Sequence, residues 1–306
     1  DEPPCAWLPG LPAAAARAHA SHKGSYGDVA VVGGEGLAQR GMGMGGAALL
    51  AGSAALHAGA GRVLVALLDG GAQPVDTAQP ELMLRRFDAL DLPRLTVVCG
   101  CGGGMAVAPL LPRVLAEAPR LVLDADALNA IAADSGLQQQ LAHRAAQARP
   151  TVLTPHPLEA ARLLGCTTAE VQARRLQAAQ QLAGRFGCVA VLKGSGSVVA
   201  APGRAPAINP TGNARLATAG TGDVLAGRGR RRLRGGLRRL LAARARRGYL
   251  ARLARPHGLA AGARAVRWLT WSFMAFAPPP RSRAAPARRA SWRGGRSGAA
   301  GPCRPG

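Results

Sequence analysis

Val29-Ala30-Val31-Val32-Gly33-Gly34, residues 29–34, is a short apolar run that stops at a pair of glycines. A helix-like run follows at about 46–58, Gly59-Ala60-Gly61 ends it, and a second apolar run covers 62–68. Strand, glycine turn, helix and strand form a βαβ unit, in which the two strands are parallel. This unit predicts an α/β fold.

The same alternation continues along the chain. Predicted strands cover 95–99, 121–123, 151–153, 188–192 and 197–201, and predicted helices cover 107–117, 128–133, 138–148, 159–164 and 169–186. Where a loop leads from a strand to a helix, glycine or polar residues stand just past the strand's carboxyl end, the edge where open α/β sheets bind ligands. We therefore predict a doubly wound, mostly parallel sheet with helices on both faces.

Charge divides the 306-residue chain into two parts. Residues 1–227 hold all 16 acidic residues and carry a net charge of +2, whereas residues 228–306 hold 21 Arg, no Lys and no acid. The body is near-neutral, so only the tail is basic. We predict a Pro- and Ala-rich linker over 1–21, a globular domain over 22–227, and an Arg-rich low-complexity tail over 228–306.

Several classes of protein are disfavoured. None of the six cysteines forms a CxxC pair, so neither a zinc site nor a disulfide framework is indicated, and reduced thiols in the cytoplasm are expected. No apolar run reaches the roughly 20 residues of a membrane span, so no membrane partner is expected. The tail would bind DNA non-specifically at low salt, but no recognition helix or stacking platform predicts a specific nucleic-acid partner.

The strongest chemical signal is Gly220-Thr221-Gly222-Asp223. Small residues let backbone N–H groups converge on an anion, and a helix opened by Val224-Leu225-Ala226 would add its partial positive charge. Asp223 at the mouth of such a site is well placed to take a proton from a substrate hydroxyl. The alternative is a glycine turn in which Asp223 caps the helix.

Three further loops lie at the same predicted edge. Lys193-Gly194-Ser195-Gly196-Ser197 permits backbone approach to a phosphate, or is a hairpin turn with a solvated lysine. His156, between two prolines, can donate a hydrogen bond to a substrate, or marks a helix entry with Glu159 in the first turn. Asp124-Ala125-Asp126 can hold Mg²⁺ through water or orient a ribose, or Asp126 caps the next helix.

Eight motifs occur in the order found in one family. They are His22-Lys23-Gly24, Val32-Gly33-Gly34, Ala47-Ala48-Leu49-Leu50, Gly59-Ala60-Gly61, Asp124-Ala125-Asp126-Ala127-Leu128-Asn129, Thr154-Pro155-His156-Pro157, Leu192-Lys193-Gly194, and Gly212-Asn213 through Gly227. Over about 20–227 the chain resembles the ADP-dependent NAD(P)H-hydrate dehydratases, which are ribokinase-like enzymes of nicotinamide nucleotide repair.

The resemblance implies a reaction. ADP would phosphorylate the hydroxyl of the (S)-hydrate of NADH or NADPH, and elimination would restore NAD(P)H, leaving AMP and phosphate. Asp223 would be the base, with the Gly220–Gly222 amides as the anion site and Mg²⁺ expected between phosphates. The implied nucleotide-binding residues are Lys193, Gly194, Ser195, Gly196, Ser197 and Gly222, and the implied hydrate-binding residues are Ala47, Gly102 or Gly104, His156 and Asp223.

The resemblance also implies partners. Some bacterial members carry this domain behind an epimerase domain, and the Pro/Ala-rich start without Met fits a piece of such a two-domain chain. A fused or separate epimerase and assembly into a homo-oligomer are therefore expected.

The sequence departs from the family in three places. The loop 35–45 is longer than usual, and Gly100-Cys101-Gly102-Gly103-Gly104 replaces the more usual Gly-Pro-Gly-Leu-Gly. After Gly227 the family continues with an apolar helix, whereas Arg228-Gly229-Arg230-Arg231-Arg232 follows here. A tail of this composition is what a GC-rich gene gives in a wrong reading frame, so we predict a frameshift near codon 227 and poorer folding. Resequencing the gene there tests this hypothesis.

Two other functions stay open at this point. An ATP-dependent kinase of vitamin precursors would use the same fold, Asp223 and anion site, although the motifs around His156 and over 124–129 favour the dehydratase. A product without function, binding nucleic acid non-specifically through its tail, is the second alternative.

Overall fold

The computed structural model describes residues 5–8, 19–71 and 74–234. Within these residues, nine strands form one sheet. In chain order they are β1 Asp28–Glu35, β2 Arg62–Leu68, β3 Met83–Leu84, β4 Thr96–Cys99, β5 Arg120–Leu123, β6 Thr151–Leu153, β7 Val189–Leu192, β8 Val198–Ala200 and β9 Ala207–Ile208. The apolar runs of the sequence form strands that are buried on both faces. A parallel sheet covered by helices on both sides favours such continuous apolar strands.

The sheet has the order β3-β2-β1-β4-β5-β6-β7-β8-β9. All neighbours as far as β7 are parallel, and β8 and β9 are antiparallel additions at one edge. The chain runs outward from β1 to β3 and then returns to the other side of β1 at β4. The carboxyl ends of β1 and β4 are thus the switch point of a doubly wound sheet, and the predicted fold class is confirmed.

Helices cover both faces. They are α1 Leu37–Arg40, α2 Gly45–His57, α3 Leu111–Glu117, α4 Ala125–Ala133, α5 Ser135–Ala146, α6 Pro157–Leu164, α7 Thr168–Ala173, α8 Arg175–Phe186 and α9 Thr221–Arg234. Alternate strand residues point to opposite faces, so Val97 and Cys99 join the core under α3–α6 and α8, while Val98 joins the core under α2 and α9.

Some boundaries differ from the predicted ones. Strand β1 continues through the glycine pair to Glu35. Gly34 N donates to the carbonyl oxygen of Cys101 at 3.0 Å, and a side chain at Gly33 would overlap that oxygen. The predicted helix 169–186 is divided at Arg174 into α7 and α8. The amino half of predicted helix 107–117 belongs to a 3-10 turn, Gly104–Leu110, that contains Pro109.

Hydrogen-bonded backbone is found on the far side of both predicted domain borders. In the predicted linker, Trp7 pairs with Ala207: its N–H donates to Pro206 O at 2.9 Å and its carbonyl accepts from Ile208 N at 2.8 Å. Helix α9 passes the predicted border at 227 and reaches Arg234, with Arg228 buried. The rest of the predicted tail, 235–306, lies outside the described residues, and the domain division stays a prediction.

Two features of composition can be followed in the structure. The five cysteines at positions 5, 99, 101, 166 and 188 are free thiols, while Cys303 lies outside the described residues. No helix in the described part of the chain is long and apolar enough to cross a membrane.

Candidate active site

The loop 100–104 that follows β4 is held tightly at the switch point. Gly100 N donates to Val32 O at 2.9 Å, and the Gly100 carbonyl accepts from Asp126 N at 3.3 Å. Gly100 has φ +114°, and a side chain there would overlap the carbonyl oxygen of Asp124. The loop can therefore pass between the end of β1 and the start of α4 only with glycine at this position.

Three predicted substrate-binding residues meet on this side. A Cβ on Gly102 would lie 2.8 Å from the Cβ of Ala47, and a Cβ on Gly104 would overlap the carboxylate of Glu35. The structure thus places Ala47 against Gly102, and Gly104 against Glu35, an acid that sequence reasoning missed. The sole hint in the sequence was a carboxylate directly after the glycine pair.

Glu35 is completely buried and fully engaged. Its carboxylate accepts from Arg40 Nε at 2.8 Å and from Met105 N at 2.9 Å. The hydrogen bond from Arg40 is the largest cause that lowers the pKa of Glu35, so this carboxyl is ionised at neutral pH. Glu35 ties the long loop 35–45 to the loop after β4.

Asp223 lies in the first turn of α9, half-buried beside the loop after β4. Gly220 has φ +87° immediately before the helix, and Val224 N donates to its carbonyl at 3.1 Å. The first-turn N–H groups of 221–223 lie outside the helical ladder and carry the positive end of the helix dipole. The predicted amide cluster thus lies at a helix N-terminus with the Asp223 carboxylate beside it, and its binding of an anion stays a prediction.

A second carboxylate and a thiol face Asp223. Asp124 follows β5 and is almost fully buried, and its carboxylate, that of Asp223 and the Sγ of Cys101 lie within 4.8 Å of one another. Burial, and then the charge of Asp124, raise the pKa of Asp223 to about 6, against lowering contributions from the Cys101 hydrogen bond and Lys193. At neutral pH Asp223 is a carboxylate with unusual proton affinity, which suits a general base.

Lys193 is directed at these acids. Its Nζ lies 2.7 Å from Asp124 Oδ1 and 3.7 Å from Glu159 Oε2, and the side chain is mostly buried. The segment 193–197 is the turn between antiparallel β7 and β8, as the hairpin alternative held, but its lysine is not solvated. Burial is the largest effect on Lys193, yet its two carboxylate neighbours raise its pKa overall, so it stays charged.

His156 occupies the N-cap of α6. Its Nδ1 accepts from Leu158 N at 3.1 Å and Glu159 N at 3.3 Å, so the proton of the neutral ring is on Nε2, 3.2 Å from Glu159 Oε1. Burial, followed by the charge of Lys193, lowers the pKa of His156. The helix-entry alternative therefore describes this residue, and its place in a substrate site stays a prediction.

The predicted capping role of Asp126 is wrong. Helix α4 begins at Ala125, with Asp124 at the N-cap, and Asp126 Oδ2 accepts from Gly104 N at 2.8 Å. Ala125 has φ +46°, a conformation that favours glycine, and such strained residues cluster at functional sites. Asp126 instead fixes the loop after β4.

A cavity of about 670 Å³ opens beside Gly222, the chain neighbour of Asp223. It is lined by all six predicted nucleotide-binding residues, Lys193, Gly194, Ser195, Gly196, Ser197 and Gly222, and by the segment 208–214. Sequence reasoning did not assign that segment to a nucleotide, although Asn209-Pro210-Thr211-Gly212-Asn213 is rich in turn-forming residues. Asn209 stiffens it by accepting from Thr211 Oγ1 at 2.9 Å.

One group of His, Cys, Asp or Glu side chains in the described ranges is close enough to share a cation: Cys101, Asp124 and Asp223. Mg²⁺ prefers oxygen ligands and keeps several waters. Here one donor is a buried thiol, whose pKa is raised well above its ordinary value by burial, and Lys193 already pairs with Asp124. The set does not fit a resident Mg²⁺.

Comparison with known proteins gives consistent matches. A family model described as NAD(P)H-hydrate dehydratase matches residues 30–228. The chain is 43% identical over 219 residues to the ADP-dependent (S)-NAD(P)H-hydrate dehydratase of Neisseria meningitidis, covering 69% of this chain and 71% of that protein. It is 40% identical over 214 residues to the bifunctional NAD(P)H-hydrate repair enzyme of Escherichia coli, covering 68% of this chain but 38% of that protein.

A solved structure agrees with this similarity. The ADP/ATP-dependent NAD(P)H-hydrate dehydratase from Bacillus subtilis, co-crystallised with ATP/Mg²⁺, matches with a TM-score of 0.53 and 32% sequence identity. The match covers 71% of this chain and 75% of that one.

Proposed function

Because the chain belongs to the NAD(P)H-hydrate dehydratase family, whose model matches residues 30–228, we propose that it uses ADP to dehydrate the (S)-hydrate of NADH or NADPH. The products are NAD(P)H, AMP and phosphate. The observation that carries the proposal is Asp223, a carboxylate with a pKa raised to about 6, which is grouped with Cys101 of the loop after β4 and follows Gly222 of the cavity wall.

In this proposal the two substrates bind on different sides of Asp223. The nucleotide enters the cavity beside the turn 193–197, and the hydrate lies against Ala47, Gly102 and Gly104. Asp223 takes the proton of the hydrate hydroxyl, whose oxygen bonds to the terminal phosphorus of ADP as the bond to AMP breaks. The N–H groups at 220–222 stabilise the charge on the transferring group, and elimination of phosphate, with loss of a proton from the adjacent ring carbon to solvent, restores the dihydronicotinamide ring.

Mg²⁺ belongs to the nucleotide in this proposal. When bound with the nucleotide, the ion would supply neutralisation of phosphate charge. The chain contributes Lys193 and the amides of α9, while Asp124 stays paired with Lys193. Because the donor set has one thiol and one occupied carboxylate, it does not suit a resident ion. This supports an ion that arrives with ADP or ATP.

The proposal extends to partners and place. The Escherichia coli relative is bifunctional and this chain spans 38% of it, which supports an epimerase, fused or separate, that supplies the (S)-hydrate. A homo-oligomer and a cytoplasmic location stay predictions. Light scattering of the full chain measures the first.

The test supplies the full chain with NADH hydrate and ADP and follows the return of NADH absorbance. We expect recovery of NADH matched by equal amounts of AMP and phosphate, and parallel ATP reactions measure nucleotide preference. If ATP phosphorylates vitamin precursors while NADH hydrate is untouched, the kinase alternative replaces this proposal.

A further inference from the structure

Cys101 is the one residue of the loop after β4 whose side chain faces the proposed base. In the pattern that the chain resembles, proline is more usual at this position, whereas this chain has a thiol there. Cys101 is completely buried, and its carbonyl is fixed by the hydrogen bond from Gly34 N at 3.0 Å. The backbone therefore holds the thiol in place.

The thiol lies among carboxylates. Its Sγ is within 4.8 Å of carboxylate oxygens of both Asp223 and Asp124. A thiol in such surroundings keeps its proton, because burial and two negative neighbours disfavour a thiolate. Cys101 is consequently a protonated thiol with a hydrogen to donate, not a nucleophile.

Other charged groups near Asp223 are also fixed. Asp124 approaches from the start of α4, and Lys193 approaches from the end of β7, where it is paired with Asp124 and Glu159. His156 is a further step away, against Glu159. Among these groups, Cys101 is the neutral donor that contacts Asp223.

We propose that Cys101 is a positioning residue, whose S–H donates to one oxygen of Asp223, keeps this carboxylate ionised beside Asp124, and leaves the other oxygen free for the substrate hydroxyl. The role rests on the proposed function, because it presumes that Asp223 is the base. Deleting the thiol leaves a buried carboxylate with one donor fewer, so its proton affinity rises.

The test compares three variants of the full chain. Cys101→Ala removes the donor, Cys101→Ser restores one, and Cys99→Ala removes the same atom from a buried cysteine in the core on the opposite face. Melting temperature and ADP binding report whether each variant folds. The readouts are the acid limb of kcat/KM against pH and an infrared titration of the Asp223 carboxyl, identified by its loss in Asp223→Asn, without substrates.

We expect Cys101→Ala to move the acid limb and the carboxyl titration upward by about half to one pH unit, with a roughly two- to fivefold loss of kcat/KM at pH 6. Cys101→Ser should keep both near the parent position, and Cys99→Ala should move neither. The proposal is overturned if Cys101→Ala and Cys99→Ala have the same carboxyl titration. A shifted titration with an unchanged acid limb supports the contact but contradicts Asp223 as the base, and so contradicts the proposed function.

Discussion

The two glycine loops that flank Asp223 differ in how closely they are packed. In the loop after β4, a side chain on Gly100 would overlap the Asp124 carbonyl, and one on Gly104 would overlap the Glu35 carboxylate. In the turn after β7, a Cβ on Gly196 would lie 3.5 Å from Ile208 Cγ2, an ordinary contact. Glycine is required by contacts with backbone and a buried carboxylate in the first loop. In the second, Gly196 is required by the turn conformation, and a Cβ on Gly194 would lie 3.0 Å from the end of the flexible Arg175 side chain.

The difference corresponds to the two proposed substrates. The tight loop is held by backbone hydrogen bonds and by Glu35, so it presents a fixed wall. The turn 193–197 borders a cavity of about 670 Å³, which is roomy enough for a nucleotide. In the proposed function, the fixed wall would select the hydrate, the open side would admit ADP, and Asp223 would take the proton.

The largest effect should come from Asp223→Asn, which removes the base and leaves both loops intact. We expect a loss of about a thousandfold in kcat, with ADP binding within a few-fold of the parent, measured by calorimetry. The melting temperature should rise at neutral pH, because burial makes the carboxylate unfavourable in the folded state. If ADP binding fell as much as turnover, Asp223 would serve nucleotide binding beside the turn 193–197 and not proton transfer.

The next effect separates the loops through their glycines. In Gly100→Ala, the added methyl group overlaps the Asp124 carbonyl, and alanine must adopt φ +114°. We therefore expect the free energy of unfolding in urea to fall by about 3 kcal/mol or more. Gly46→Ala in α2 is the control, since nothing lies within 4 Å and alanine favours a helix by about 1 kcal/mol. A Gly100→Ala protein as stable as the control would show that the wall is not rigid.

The sequence predicted the sheet and seven of its nine described strands, because hydrophobic runs and glycine turns are local signals. It missed contacts between distant segments. Glu35 binds Met105 N, 70 residues away, and Lys193 pairs with Asp124, 69 residues away, instead of facing solvent. No local pattern encodes either contact.

Asp126 shows a second kind of error. The spacing favoured Asp126 as a helix cap. The helix instead begins at Ala125, which has a left-handed conformation, and Asp126 accepts a hydrogen bond from Gly104 N. A non-glycine residue at φ +46° is held by its surroundings rather than by its own preference. Sequence reasoning of this kind therefore finds the elements of a site more readily than the direction of its side chains.

A smaller effect is the pH dependence of rate and stability. With the pKa of Asp223 at about 6, kcat/KM should fall about tenfold for each unit below pH 5 and level off above pH 7. The raised pKa has the opposite effect on stability: this group should lower the free energy of unfolding by about 2 kcal/mol as pH rises from 4 to 6. Asp223→Asn is the control for both, and the parent-minus-variant stability difference should be flat if burial does not raise the pKa.

The smallest effect should come from Gly196→Ala in the open turn. Its φ of +62° costs an alanine about 1 kcal/mol, but the added methyl meets Ile208 at a normal distance and points to no backbone atom. We therefore expect KM for ADP to change less than about threefold and kcat for the hydrate to stay within twofold. Gly104→Ala is the matched variant on the other side: it should raise KM for the hydrate much more than KM for ADP, because the methyl displaces the Glu35 carboxylate. If the two variants impaired the same substrate equally, the division of the site at Asp223 would be wrong.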